Sequence, residues 1–394
     1  MSPKDQISRK EFLYKAGMMG TAVAMTSILG MAQTLAQDRK IKVAVIGCGS
    51  VTRMYFPHLS KSPFVELVSA ADIIPERAAR AAEEFNIPNH YSSIEKLLGG
   101  APFDLLINTT DMQEHGRLNK MALLAGKHVW SEKPLANTYR EGKDLVDLAK
   151  QKGIRVWGAP AVVNSPQFAF MSQAIQSGKI GKVAAAHGHY GHLGPGWSAF
   201  FYEKLGGSLP DLAVYNIATI VGLLGPAVSV VAMLNIITPT RKVDNRPDPI
   251  KVEEEDNASL LLEHESGAIS HIQSGFNYFD PYGHHGSGQD NPTISLWGTK
   301  GNLNLIGYDW APFGVDMANE EQEGKTVRYA EDTGTYVWEE GASVISENLV
   351  KGTEPLINVE HSLHVLEIIE AARKSQKSRK RISLKSKFIW PIVT

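Results

Sequence analysis

"IKVAVIGCGSVT", residues 41–52, decides the fold. The run is apolar except for Lys42 and closes on glycine, as expected for a strand covered on both faces, since a strand with one wet face would alternate. "FVELVSAAD", "FDLLINTT", "KHVWSE" and "IRVWGAP" repeat the type, and the segments between them, "PERAARAAEEF", "HGRLNKMALLAG" and "TYREGKDLVDLAKQKG", have helical spacing. Parallel strands need crossovers, and these are helical. The alternation predicts a doubly wound α/β domain over residues 38–160.

Beyond Pro160 the texture changes. "QFAFMSQAIQSGKIG" and "PDLAVYNIATIVGLLG" read as helices, whereas "KVAAAHGHYG", "VSVVAMLNIIT", "ASLLLEHESGAISHIQSG" and "TISLWGTKGNLNLIG" read as strands, several joined by tight glycine turns. Residues 161–394 are therefore expected to form an α+β domain with an open, mainly antiparallel sheet. The basic stretch "RKSQKSRKR" reads as the wet end of a last helix.

At 394 residues and 43% apolar composition, the chain can bury two cores, and a net charge of −2 gives it no general attraction for nucleic acid. Cys48 is the only cysteine, which excludes an internal disulfide framework and a thiolate-rich metal centre. The first 37 residues differ from the rest. "SRKEFLYKAG" is basic, residues 16–37 carry no charge, and Thr34 and Ala36 fit a small-residue cleavage rule, so 1–37 read as an export signal. "SRKEFL" is similar to the twin-arginine consensus with Lys10 in the second arginine's place. A periplasmic or exported protein without stable membrane insertion after processing is expected; a membrane anchor or a cytoplasmic tail are the alternatives.

After the first strand, "GCGSVT" sets Gly47 and Gly49, then Ser50, Val51 and Thr52, where a dinucleotide fingerprint has three small residues; Thr52 departs from it. Glycine permits the tight turn and the close approach of backbone to a pyrophosphate. Asp72 ends the second strand 25 residues after Gly47, where a carboxylate binds a ribose diol or, alternatively, caps the next helix. That carboxylate would repel a 2′-phosphate, and Ile73 and Ile74 offer no basic partner. NAD is thus favoured, with NADP the alternative.

Four motifs then occur in order: the glycine fingerprint, "INTTDMQEH" (107–115), "AGKHVWSEKPLA" (125–136) and "GGSLPDLAVYNIATIVGLLG" (206–225). Together they resemble the glucose–fructose oxidoreductase, inositol dehydrogenase and rhizopine catabolism family, abbreviated Gfo/Idh/MocA, from about Ile41 to the C-terminal helix. The resemblance implies a Rossmann domain whose cofactor contacts include Thr109, Thr110 and His115, with Glu132 near the nicotinamide ribose and Lys133 facing the nicotinamide. It implies catalysis by Lys133, Asp211 and Tyr215. Asp211 and Tyr215 share a face of a regular helix, being four residues apart. Members commonly have histidine where this chain has Tyr215. A tyrosine base, with an ordinary pKa near 10, needs a cation such as Lys133 beside it, and Asp211 is the other candidate base.

"HGHYGH" (187–192) puts His187 and His189 on one strand face and Tyr190 and His192 on the other. His187, His189 and Tyr190 are the expected sugar contacts. No metal is expected, although His284 and His285 add histidines, and "DPYGHHGSGQDNP" reads as a loop rimming the pocket. The expected protein is an oxidoreductase moving hydride at a secondary alcohol of a sugar, sugar derivative or glycoside. Export predicts a retained cofactor regenerated in place. The alternatives are an NAD-dependent glycosidase that oxidises and eliminates, and a non-catalytic dinucleotide sensor. The resemblance also implies a homo-oligomer.

Overall fold

The computed structural model describes residues 39–279, 291–331 and 337–393. The export segment and most of the glycine-rich loop, with His284 and His285, lie outside the described residues. The opening run forms β1 (Ile41–Ile46), followed by helix α1 (Thr52–Lys61), β2 (Val65–Ala71), α2 (Pro75–Glu84), β3 (Asn89–Tyr91) and α3 (Ile94–Leu98). Next come β4 (Leu105–Asn108), α4 (His115–Leu124), β5 (His128–Ser131), α5 (Tyr139–Lys152) and β6 (Val156–Gly158). The six strands pair in parallel in the order β3-β2-β1-β4-β5-β6. Alternate residues of β1 enter different cores: Val43 and Val45 pack with Tyr55, Phe56 and Leu59 of α1, whereas Ala44 and Ile46 pack with Leu118, Leu123 and Leu145. Each fully buried aliphatic side chain contributes roughly 1.5–3 kcal/mol, which explains the absence of polar alternation.

The strand order reverses between β1 and β4. In a doubly wound sheet a crevice opens at that point, outside the carboxyl ends of the strands. The glycine turn after β1 and Thr109–Thr110 after β4 both lie there.

Helices α6 (Pro166–Gln176) and α7 (Val214–Leu224) flank a second sheet. Its strands are β7 (Val183–Gly191), β8 (Ala227–Asn235), β11 (Asn257–His264), β12 (Ile269–Gly275), β13 (Pro292–Gly298), β14 (Gly301–Tyr308), β15 (Ala311–Asn319), β16 (Val327–Tyr329) and β17 (Ile382–Ser383); β9 (Thr240–Arg241) and β10 (Ile250–Lys251) make a separate ribbon. The order is β16-β15-β14-β13-β7-β12-β11-β8-β17, antiparallel except where β12 runs parallel to β7. The last helices, α8 (Gly341–Lys351) and α9 (Val359–Ser378), return to the first unit as well: Leu363 and Leu366 of α9 complete the core beneath α5. Helix α9 thus packs on both units, against α5 of the first and β8 of the second.

Candidate active site

The cleft at the switch point measures about 1590 Å³ and runs from the glycine turn to the second sheet. Pockets of roughly 300–1,000 Å³ hold one small ligand, so there is room for a dinucleotide and a second molecule. At the near end the turn is built for close approach. Gly47 has φ +91°, and a Cβ there would stand 2.7 Å from the Thr109 backbone. A Cβ on Gly49 would meet no protein atom within 4 Å and would project into the cleft that Gly49 lines. The N-terminus of α1 has no side-chain cap, which leaves backbone N–H groups and the positive end of the helix dipole for an anion. These features fit a pyrophosphate. Gly47 and Gly49 with Ser50 and Val51 would hold it, and Thr52 closes the turn from behind by donating to the Gly47 carbonyl, with Thr109 Oγ donating to that same carbonyl at 2.8 Å.

Asp72 departs from expectation. It is buried, does not line the cleft, and accepts from the Cys48 and Ile74 N–H groups, both at 2.8 Å. Its first task is to lash the glycine turn to the end of β2 and to cap the entry to α2. Ile73 and Ile74 offer no charge, while Arg77 and Arg80 of α2 line the cleft a turn further on, with Arg53. Burial, then Asp72, pushes the Cys48 thiol up to about 12, so it is an inert neutral group.

At the far end, β5 delivers Glu132 and Lys133, and the Lys133–Pro134 peptide is cis. His115 supports that turn: its Nδ1 lies 2.7 Å from the Pro134 carbonyl and its Nε2 3.0 Å from that of Thr110. Burial lowers the His115 pKa against the opposing pull of those carbonyls. Thr110 is tied by its hydroxyl to Asn108 Oδ1 at 2.7 Å. The Glu132 carboxylate turns inward, accepting from Tyr55 OH at 2.6 Å and from the Lys133 N–H at 3.0 Å, while Trp130 Nε1 donates to Tyr55 OH at 3.2 Å.

Lys133 crosses to the second unit. Its Nζ donates to Asp211 Oδ1 and to the Asp211 main-chain carbonyl, both at 2.8 Å. An ammonium has three N–H groups, so one remains for a substrate oxygen. Asp211 sits in a π-helical turn, Leu209–Ala213, rather than in the regular helix expected, and Tyr215 follows in the first turn of α7. The wider turn still brings Asp211 and Tyr215 to the same cleft wall. Lys133 Nζ lies 5.1 Å from the Tyr215 ring centroid, over the ring. Burial, then Glu132, Tyr190 and Asp211, raises the Tyr215 pKa well above 10. Burial and the neighbouring acids thus favour the neutral Tyr215 hydroxyl, and its ring lies beneath the Lys133 ammonium.

Of the three expected sugar contacts, only Tyr190 reaches the cleft. It is buried among Tyr308 at 4.7 Å and Tyr215 at 6.2 Å between ring centroids, and burial, then Asp211, holds its pKa well above 10. His187 and His189 are corrected. Gly188 between them packs on Ile220 and Asn216 of α7, so both histidines project from the opposite sheet face, where His187 stacks on His271 at 4.9 Å. His192 is the histidine of "HGHYGH" that lines the cleft.

Several cleft residues escaped the sequence reading. Arg77 was legible, since "PER" puts it in the first turn of α2 just beyond Asp72. Trp197 and Phe200 had a signal in the aromatic density of "PGWSAFFYE". Tyr55 meets Glu132 across 77 positions, and no local pattern marks such a pair.

Residues 41–159 match the family described as "Oxidoreductase family, NAD-binding Rossmann fold", and residues 168–304 the "GFO/IDH/MocA C-terminal domain". A trans-1,2-dihydrobenzene-1,2-diol dehydrogenase of Mus musculus is 25% identical over 85% of this chain and 96% of its own. A 1,5-anhydro-D-fructose reductase of Ensifer adhaerens is 30% identical over 45% of this chain, which spans about half (54%) of that protein's length. Among solved structures, a levoglucosan dehydrogenase in complex with NADH superposes with a TM-score of 0.76 at 20% identity, covering 88% of this chain and 100% of its own. With the sheet order, the glycine turn and the Lys133 turn already in place, these matches lead to one conclusion: the chain belongs to the Gfo/Idh/MocA family of NAD-binding oxidoreductases.

Proposed function

We propose that this protein is an NAD-dependent oxidoreductase that moves hydride at a secondary alcohol of a sugar, sugar derivative or glycoside. The observation that carries the reading is the bond from Lys133 to Asp211, which joins the two units at the end of the nucleotide-sized cleft. NAD supplies the hydride acceptor when bound. The glycine turn and the α1 N-terminus would hold its pyrophosphate, Arg77 would flank the adenosine ribose, and Lys133 would stand at the nicotinamide end.

The remaining N–H of Lys133 donates to the carbinol oxygen and stabilises the negative charge that grows there as the C–H bond breaks. The hydroxyl proton passes to the Asp211 carboxylate, directly or through the Lys133 amine that already touches it. The carbon loses a hydride and the oxygen a proton, leaving a ketone. In the reverse direction the same pair returns the proton. Tyr215, protonated throughout the neutral range, donates a hydrogen bond and walls the site.

Export with a retained cofactor is proposed from residues 1–37, the nucleotide being regenerated by a second sugar or by return of the hydride to the same substrate. Homo-oligomerisation is proposed from the second sheet, whose outer face exposes Met233, Leu261, Ile269 and Trp297 among the described residues. Light scattering on the purified protein checks it. The decisive experiment for the reaction denatures native protein, identifies the released nucleotide by mass spectrometry, and follows nicotinamide absorbance over a sugar panel. Tightly held NAD and a keto-sugar product support the proposal. Glycosidic cleavage with no net NADH would identify the oxidation–elimination glycosidase, and nucleotide binding with no turnover of any sugar would identify a sensor.

A further inference from the structure

On the side of the second unit the cleft wall is aromatic: Trp197, Phe200 and Trp310 line it together with Tyr190 and Tyr215. Beneath them lies a compact cluster of Tyr190, Phe201, Tyr202, Phe276 and Tyr308, on which Phe200, Tyr215 and Trp310 form the half-buried surface. Tyr308 stacks on Trp310 at 5.0 Å with the planes 6° apart, fixing the orientation of the indole.

Trp197 is the outermost ring, 47% exposed, and its loop is fastened on every side. The Asp244 N–H donates to the Gly196 carbonyl at 2.8 Å, the Ala199 N–H to Asn245 Oδ1 at 3.0 Å, and Tyr202 OH to the Pro195 carbonyl at 2.7 Å. From the nucleotide-binding unit, Gln113 Nε2 donates to the Phe200 carbonyl at 2.9 Å. Phe200 and Phe201 meet the indole edge-on at 5.4 Å and 4.7 Å. Those contacts cover only part of the indole, and the exposed remainder at the cleft has a cost in solvation. Burial under a ligand ring removes that cost, and the pinned loop means that little side-chain freedom is lost on binding.

Lys133 and Asp211 sit at the depth of the cleft, whereas the outer edge carries the Glu203–Arg246 pair at 2.9 Å. A single pyranose at Lys133 would satisfy the inner groups and leave the outer rings bare. We propose that Trp197 and Phe200 form a second-ring subsite, so that the physiological substrate is a glycoside: the oxidised pyranose lies at Lys133, and a second six-membered ring, sugar or aryl, joined through the glycosidic oxygen, stacks on the aromatic wall. The proposal rests on the sugar-oxidoreductase reading and narrows its substrate class.

The test measures equilibrium binding to the NAD-loaded protein by calorimetry, so that it does not depend on turnover. The probes are methyl β-D-glucoside, phenyl β-D-glucoside and cellobiose. The wild type is expected to prefer at least one of the two-ring ligands to the methyl glycoside by about tenfold, the scale of one aromatic stacking contact. Trp197→Ala and Phe200→Ala should each collapse that ratio, and Trp197→Phe should restore most of it, with thermal unfolding confirming that each variant is folded. Preference for the phenyl compound alone, or for cellobiose alone, supports the subsite and names its occupant. Equal affinities for all three ligands in the wild type, or a preference that survives both alanine variants, overturns it. Ring preference without any nicotinamide absorbance change sinks the oxidoreductase reading and leaves the subsite standing; turnover of the methyl glycoside without ring preference does the reverse.

Discussion

The two sheets face the cleft in opposite ways. The parallel sheet contributes mostly backbone: a glycine turn, an uncapped helix end and the carbonyls that fix Thr52, Thr109 and His115. The antiparallel sheet and its loops contribute side chains gathered from distant positions, Tyr190, Trp197, Asp211, Tyr215 and Trp310. Backbone recognition ties chemistry to conformation, so it leaves a local pattern of small residues. Side-chain recognition ties chemistry to tertiary placement and leaves almost none.

The largest expected effect is where the two modes meet. Lys133→Met removes the donor to the carbinol oxygen but no part of the glycine turn. Turnover on the best sugar should fall on the order of a thousandfold, within the range for lost acid–base catalysis. The released nucleotide should still equal one per chain by mass spectrometry. Loss of nucleotide along with activity would mean that the two halves are not separable as described.

Within the backbone half, the two glycines should fail differently. Gly47→Ala forces a methyl onto the Thr109 backbone at 2.7 Å and a side chain into a positive φ, which should cost about 3 kcal/mol and show as a lowered melting temperature. Gly49→Ala meets no protein atom within 4 Å. Its melting temperature without nucleotide should barely move, while NAD affinity drops because the methyl faces the ligand. Equal destabilisation by the two changes would refute the assignment of one glycine to the fold and the other to the cofactor.

Tyr215→Phe sharpens the side-chain half. Since burial keeps this phenol protonated across the neutral range, the variant should lose about tenfold in kcat, one hydrogen bond's worth. The pH–rate profile between pH 6 and 9 should keep its shape. A shifted alkaline limb would identify Tyr215 as the base.

Legibility followed the same divide. The doubly wound class and the glycine turn were readable because strand burial and tight turns constrain residue type locally, whereas the Glu132–Lys133–Pro134 turn was placed through the family resemblance. Asp211 was found through its motif, yet its π-helical turn was not, because spacing alone does not distinguish a widened turn from a regular one. His187 and His189 were assigned to the wrong side. Alternation placed them correctly opposite Tyr190, but which face looks into the cleft depends on where α7 packs, and that is settled by Gly188 against Ile220. Asp72 shows a further limit: one carboxylate position serves a ribose or the turn's own N–H groups, and the sequence is the same for both.

The smallest effect concerns the seam behind Glu132. Glu339, buried next to Trp338, is raised to about 7 by burial and by the nearby Glu132 and Glu340 carboxylates. From its ordinary 4.5 up to about 7, the folded protein keeps a proton that the unfolded chain has released, so stability is lost as pH rises through that window. Glu339→Gln abolishes the penalty. It should raise the melting temperature by roughly 2–4 °C at pH 8 and leave it unchanged at pH 4, the range expected for about 1 kcal/mol in a domain of this size. The backing of the nucleotide-binding half would then be held below its optimum by a carboxylate brought in by the last third of the chain. An equal gain at both pH values would instead make the change one of packing, and the electrostatic link between α8's approach and Glu132 would be lost.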